Sequence, residues 1–327
     1  MNEQTLAHKG RFCRTALLVV AGFFCTPGSA LTAPGDCVFP KHPRVTLKNM
    51  GRCEFDLETL SFKGKPVEQA TCLTNPLLTG GYLTGERAKL PETFAKRVGR
   101  STDLPKREDL LAYLHFTGLG KEFGETISKP ISHANDNDPL ARSATYFVIH
   151  DTSAPNFAGR PFPENINTDR RINNLERFKC ANHIEQAHTF TNRTGAVYVG
   201  HDFEVPWRAT KFETATNFGQ ELKGLFVHNE LIQPRRTEPK RGWRNDFQAP
   251  RPGFTQAQYD RLAVIYLVTS LRAGFWLIPA FHAVIDEGIY NKHDDPQNFE
   301  FSRFATAIDD LVKNLRTTAE SARNFVP

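Results

Sequence analysis

A histidine closes the apolar, β-branched run YFVIH at 146–150, and the turn-forming residues Asp151, Thr152 and Ser153 follow at once. A buried strand that ends this way delivers one imidazole to the rim of a sheet. A second segment, HAVIDEGIYNKHDDP at 282–296, comes directly after a long apolar helical stretch and sets histidine and a pair of aspartates on a loop. Histidine and carboxylate arriving from separated segments suit a zinc site with three protein ligands and an open fourth position. The chemistry such a site implies is metal-assisted hydrolysis.

The elements that must position these residues follow from hydropathy patterning. The chain has 327 residues, longer than a typical single domain, and its 39% hydrophobic content with 26 Phe is ample for a sizeable core. Residues 31–127 are expected to form a small mixed accessory domain. Strand character lies around Glu54–Phe62, a turn at Gly64–Pro66, and helical spacing at Leu90–Val98 and Arg107–Phe116. The Ser-, Asn-, Asp- and Pro-rich stretch 128–140 is expected to connect this domain to a second one at 141–327. There, strands alternate with helices: a buried strand at ATYFVIH, a helix over Asp169–Ala181, and a hairpin turning at Asn192–Gly195. A strand follows over Lys223–Leu231, then a long buried helix capped by Thr255, and an amphipathic helix over Phe301–Arg323. Arg272 and Pro279 keep the long helix from reading as a membrane span. The expected fold class is α/β, a central mixed β-sheet flanked by helices, with the small mixed domain at its N-terminal side.

Five segments in order, YFVIHDTS, AHTFTNRTGAVYV, VHNELIQP, FTQAQYDRLAVIYL and FH…DDPQNFEF, together resemble the zinc-dependent N-acetylmuramoyl-L-alanine amidases, whose fold is shared with the peptidoglycan recognition proteins. The resemblance spans roughly residues 144–305. It implies His150, His282 and Asp295 as zinc ligands, with Asp294 or His293 able to replace Asp295 if the loop shifts by a residue. Two neutral imidazoles and one carboxylate leave a zinc ion with net positive charge, the condition for activating water against an amide carbonyl. Glu230 matches the general base. The oxyanion-stabilising lysine of several relatives is replaced by His293, with Lys292 beside it. Other departures are Thr189, where many relatives carry tyrosine near the metal, and Lys211, where they carry histidine. His228 shares a strand face with Glu230 and either packs there or lines the site. His188 matches a hairpin histidine, and Asp151 suits a turn or a group orienting the ligands. The implied activity is cleavage of the amide between N-acetylmuramic acid and L-Ala. The alternatives are a non-catalytic peptidoglycan-binding module, or a zinc hydrolase of another amide.

The segment Pro234–Pro252 holds six Arg/Lys against two acids, with Trp243 and Phe247 interleaved. Nucleic-acid contact, binding of stem-peptide carboxylates by residues such as Arg235 and Arg236, and a solvated connection are all open for it. Residues 1–30 are expected to be a secretory signal peptide. Lys9, Arg11 and Arg14 precede an apolar core at Thr15–Cys25, and Gly28-Ser29-Ala30 offers small residues for cleavage. Its removal lowers the formal charge from +5 to +3, by three cations and one anion, and the six cysteines to four. An even set in an exported chain points to disulfides, expected as Cys53–Cys72 and Cys37–Cys180. With no CxxC spacing, a cysteine zinc site is disfavoured. The expected setting is periplasmic or secreted. The expected partner is peptidoglycan or muropeptides, with no nucleic acid, no membrane after cleavage, and a monomeric state.

Overall fold

The apolar run at 146–151 does become a strand buried on both faces, and the rest of the architecture is arranged around it. The computed structural model describes residues 44–45, 51–78, 80–85, 87–182, 185–237 and 248–324. The expected signal peptide and Cys37 lie outside them. In chain order the first elements are β1 (Phe55–Asp56), β2 (Ser61–Phe62), α1 (Pro66–Leu73), β3 (Leu77–Leu78), β4 (Tyr82–Leu83), α2 (Glu92–Arg97) and α3 (Arg107–Phe116). They continue with a single turn, α4 (Ala134–Asn137), then β5 (Tyr146–Asp151), β6 (Thr189–Thr191), β7 (Val197–Val199) and β8 (Phe226–Leu231). The last are α5 (Gln256–Ala273), β9 (Ile278–Phe281), the single turn α6 (His282–Ile285) and α7 (Phe301–Asn324). No described helix is long and apolar enough to cross a membrane.

The main sheet has the order β7-β6-β8-β5-β9. Only the β6–β7 hairpin is antiparallel; β8 and β9 both run parallel to β5. The expected α/β class with a mixed sheet flanked by helices is what the structure has. Successive residues of β5 serve opposite faces, as the strand period requires. Phe147 meets Tyr266 of α5 edge-on, with ring centroids 5.1 Å apart, and stacks toward Phe304 of α7. Tyr146, on the other face, meets Phe62 of β2 edge-on at 5.2 Å. That second face also carries Val148 and His150. The N-terminal segment therefore covers the face of the sheet on which the histidine stands.

Helix α5 begins where the sequence signals it. Thr255 accepts a hydrogen bond from the Gln258 backbone, and the Gln258 side chain returns to the Thr255 N–H as a capping box. Gly274 ends it in the left-handed conformation. Asp169–Ala181 departs from expectation, holding a single 3₁₀ turn at Leu175–Phe178 instead of a helix. The Asp169 carboxylate takes the backbone N–H groups of Arg171 and Ile172, and the Asn173 side chain reaches the Asn167 and Asp169 carbonyls. Short polar side chains that bond the nearby backbone compete with a helix in this way.

The described residues from Arg44 onward belong to one compact unit. A single hydrophobic core includes Phe55, Phe62 and Phe94 from the N-terminal segment together with Phe147, Phe226 and Trp276. The stretch expected to connect two domains contributes buried Ile131, Ser132 and Ala134. Cys53 and Cys72 form the expected disulfide, closing the β1–β2 unit onto α1. Beside it, Arg52 grips Glu287 with Nε and Nη2, each at 2.8 Å. Gly80 donates to Gln297 Oε1 at 3.2 Å, and Gly81, at φ +75°, lies so close to Asp294 that an added Cβ would fall 2.1 Å from its Cβ. These contacts brace the 287–297 loop from the N-terminal side.

Tyr146 ties the two parts by hydrogen bonds as well as by stacking. Its hydroxyl donates to Gln69 Oε1 at 2.9 Å and accepts from the Phe62 N–H at 2.8 Å, and burial pushes its pKa up to about 12. Tyr146→Phe strands both partners inside the core, so a loss of about 1–3 kcal/mol is expected. Urea unfolding checks this: the midpoint should fall while the slope stays that of the unaltered chain.

Candidate metal centre

Parallel pairing of β5 with β8 sets His150 directly opposite Glu230, with Phe190 of β6 next in the same row. At the end of β9 the chain turns into α6, whose first residue is His282. The loop after α6 returns with Asp295, whose carbonyl accepts from the Ala283 N–H at 2.9 Å. Three separated segments thus deliver their side chains to one point.

His150 Nδ1 and His282 Nδ1 are 2.8 Å apart, and Asp295 Oδ2 lies 3.2 Å from His282 Nδ1 and 3.8 Å from His150 Nδ1. A tetrahedral zinc ion with bonds near 2.1 Å separates its ligand atoms by about 3.4 Å. The observed triangle brackets that value, and its three side chains are buried and able to hold a metal ion. Glu230 Oε1 stands 3.9 Å from His150 Nδ1, while Glu230 Oε2 is buried with no hydrogen-bond partner among the described residues. A buried acceptor without a donor is costly unless something else meets it.

Each ligand is backed by further polar groups. Asp295 Oδ2 accepts from the Asp151 N–H at 3.1 Å. The Asp151 carboxylate is held by Arg235 Nη2, at 2.7 and 2.6 Å from its two oxygens, and accepts from the Gln297 N–H at 3.2 Å. Asp286 Oδ2 lies 3.1 Å from His282 Nε2, an ion-pair separation whose angle falls short of a formed hydrogen bond, and 2.7 Å from His293 Nδ1. Asp286 also accepts from the backbone N–H groups of Lys211 and Phe212. Together, His282, Asp286 and His293 form a second set of possible ligands. However, the two imidazoles lie over one another at 3.9 Å with planes only 30° apart. Lone pairs lying in such planes do not converge on one ion, so this set orients His282.

The field follows from the packing. Burial, joined by the neighbouring imidazoles, holds His150 well below the usual histidine pKa. Burial also disfavours charge on His282, but the Asp295 and Asp286 carboxylates outweigh it and hold its pKa well above the usual value. Glu230 is held well above the ordinary carboxylate range by burial, with the Asp295 carboxylate adding to the effect. Asp286 falls far below that range because the two adjacent imidazoles overcome its burial.

A cleft of about 280 Å³ opens over these groups. Glu230, His282, His293 and Asp295 lie at its base, and Phe178 and Phe190, stacked at 5.1 Å, contribute apolar wall. Of the two expected oxyanion groups, His293 lines this cleft; Lys292 does not, and burial lowers its pKa. The expected substrate-binding residues are placed elsewhere. His188 is fully buried, its Nδ1 accepting from the His228 N–H and its Nε2 3.1 Å from the Val205 carbonyl. His228 is buried behind His150, and Lys211 hydrogen-bonds the Asn291 carbonyl with Nζ. Arg235 is fully buried, which removes it from a substrate-facing loop, because Asp151 needs a cation inside. Arg236 lies over the Phe162 ring at 5.7 Å. The basic stretch 238–247 lies outside the described residues, as does the Cys37 partner expected for the buried Cys180.

Two contributors were not among the expected site residues. Glu213 and Asp286 are fully buried carboxylates set against the histidines. Glu213 meets its imidazole, His228, across a fold contact, whereas Asp286 sits four residues after His282 in the 282–296 segment, a spacing that could have flagged the pair. Compared with known protein families, with curated proteins and with solved structures, the chain matches none.

Arg235→Met leaves the Asp151 carboxylate buried without its cation, for which a stability loss of about 3–5 kcal/mol is expected. Thermal unfolding checks it, and Arg236→Met, a change at a half-buried site, should cost far less.

Proposed function

We propose that this chain is an exported zinc-dependent amidase that cleaves the bond between N-acetylmuramic acid and the L-Ala of peptidoglycan stem peptides. One observation carries the reading: His150, His282 and Asp295 converge with Glu230 3.9 Å from His150, and His282, Asp295 and Glu230 line one cleft. The ordered segments resembling the amidases supply the substrate class, and residues 1–30 supply the export.

The donor set suits zinc better than magnesium or calcium, which take mostly oxygen ligands. Bound there by His150, His282 and Asp295, zinc would supply Lewis acidity toward the amide carbonyl and lower the pKa of water. Glu230 takes the proton from the attacking water and returns it to the leaving amine; its raised pKa favours holding that proton between the two steps. Asp286 engages Nδ1 of His293, so His293 would donate to the oxyanion from Nε2 in its doubly protonated form, the added charge facing the Asp286 carboxylate. Phe178 and Phe190 exclude water from one side of the cleft.

Purified sacculi treated with the protein should release stem peptides beginning at L-Ala, read by mass spectrometry, and a chelator should abolish the release. Glu230→Gln should keep metal and fold while lowering the rate by about 10²–10⁴. Stoichiometric zinc without any product would make the chain a binding module, and cleavage of simpler amides alone would move the substrate elsewhere.

A further inference from the structure

Behind His150 lies a line of buried polar groups that the proposed reaction does not use. His150 Nε2 is 3.1 Å from His228 Nδ1, and His228 Nε2 is 3.3 Å from Glu213 Oε1. The other Glu213 oxygen accepts from Thr210 Oγ1 at 2.8 Å, and Thr210 itself lines the cleft. The side chains of His228 and Glu213 are both fully inaccessible to solvent. A carboxylate and an imidazole placed there without hydrogen-bonded partners would be costly, so the order of donors along the line is constrained.

That order follows from the acceptor at its end. An ionised Glu213 has no proton to give, so His228 must donate from Nε2. A neutral His228 then has only a lone pair at Nδ1, and His150 must donate to it from Nε2. His150 is left with its lone pair on Nδ1, the atom that faces His282 and Asp295. The carboxylate thus selects, two rings away, which nitrogen of His150 can bind a metal.

We infer that Glu213 and His228 are positioning residues that fix the tautomer and orientation of His150 for metal binding at Nδ1. The inference rests on the zinc reading above but concerns how this chain prepares one ligand. It requires no particular substrate.

The test uses the full purified chain and zinc itself. Competition with a chromophoric chelator should show Glu213→Gln binding zinc about 10–100-fold more weakly than the unaltered chain. Cobalt in place of zinc should show a shifted visible absorption spectrum in the same variant. In a His228→Leu background, Glu213→Gln should bring no further loss, because its route to the metal is gone. Long-range proton–nitrogen correlation spectra of the unaltered zinc-loaded chain read the tautomers directly, whether or not the variants fold. His228 and His150 should both carry their protons on Nε2. Unaltered affinity and cobalt spectrum in Glu213→Gln, an equal loss in both backgrounds, or a His228 proton on Nδ1 would overturn the inference and leave the zinc reading intact. An unaltered chain that binds no zinc would overturn both.

Discussion

The parallel register between β5 and β8 is the constraint on which the rest of this structure depends. With His150 opposite Glu230, the period of two places His228 one pleat behind Glu230 on the same face. A slip of one residue would send His150 toward the helices and Phe147 toward the cleft. Strand burial prevents this slip, because Phe147 is committed to Tyr266 and Phe304 while Tyr146 is committed to Phe62. The chemistry-bearing row is thus fixed by the apolar residues beside it.

Where local pattern decided the outcome, the sequence was readable. The β-branched run of β5, the Asn192–Gly195 hairpin turn and the Thr255 cap all rest on neighbours within a few residues, and each appears in the structure. Cys53 and Cys72 were legible because they flank a short strand-loop-strand unit. His150 and His282 were legible because a polar residue closing an apolar run has to go to a rim, whereas Asp295 came from the resemblance alone. Asp169–Ala181 was misjudged because its apolar spacing competes with asparagine and aspartate side chains that take the backbone for themselves. Arg235 was assigned to the surface with its basic neighbours, whereas its partner Asp151 lies 84 residues earlier in the chain and inside. Glu213 was hidden for a similar reason, its partner His228 lying on a strand, whereas Asp286 follows His282 by four residues and was open to a local reading.

Charge inside the site is largely paired. His282 lies between Asp286 and Asp295, and Arg235 holds Asp151, while the two neighbouring carboxylates Asp295 and Asp151 are linked by the Asp151 backbone N–H. Desolvation opposes every one of these charges, and their mutual attraction offsets it. Glu230 alone stands outside this pairing, with one oxygen unmet. It also lines the cleft, together with Asp151 and Asp295.

The bracing of the 287–297 loop bears on which parts of the chain the candidate site needs. Arg52, Gly80 and Gly81 hold the loop that carries His293 and Asp295, though they lie more than 200 residues away in sequence. Contacts between such distant residues carry a loop-closure entropy that is recovered only after both ends have formed. The position of Asp295 therefore depends on contacts that no local fragment of the chain contains. The N-terminal segment is thus not a detachable module, because the bracing of the loop that carries Asp295 would leave with it.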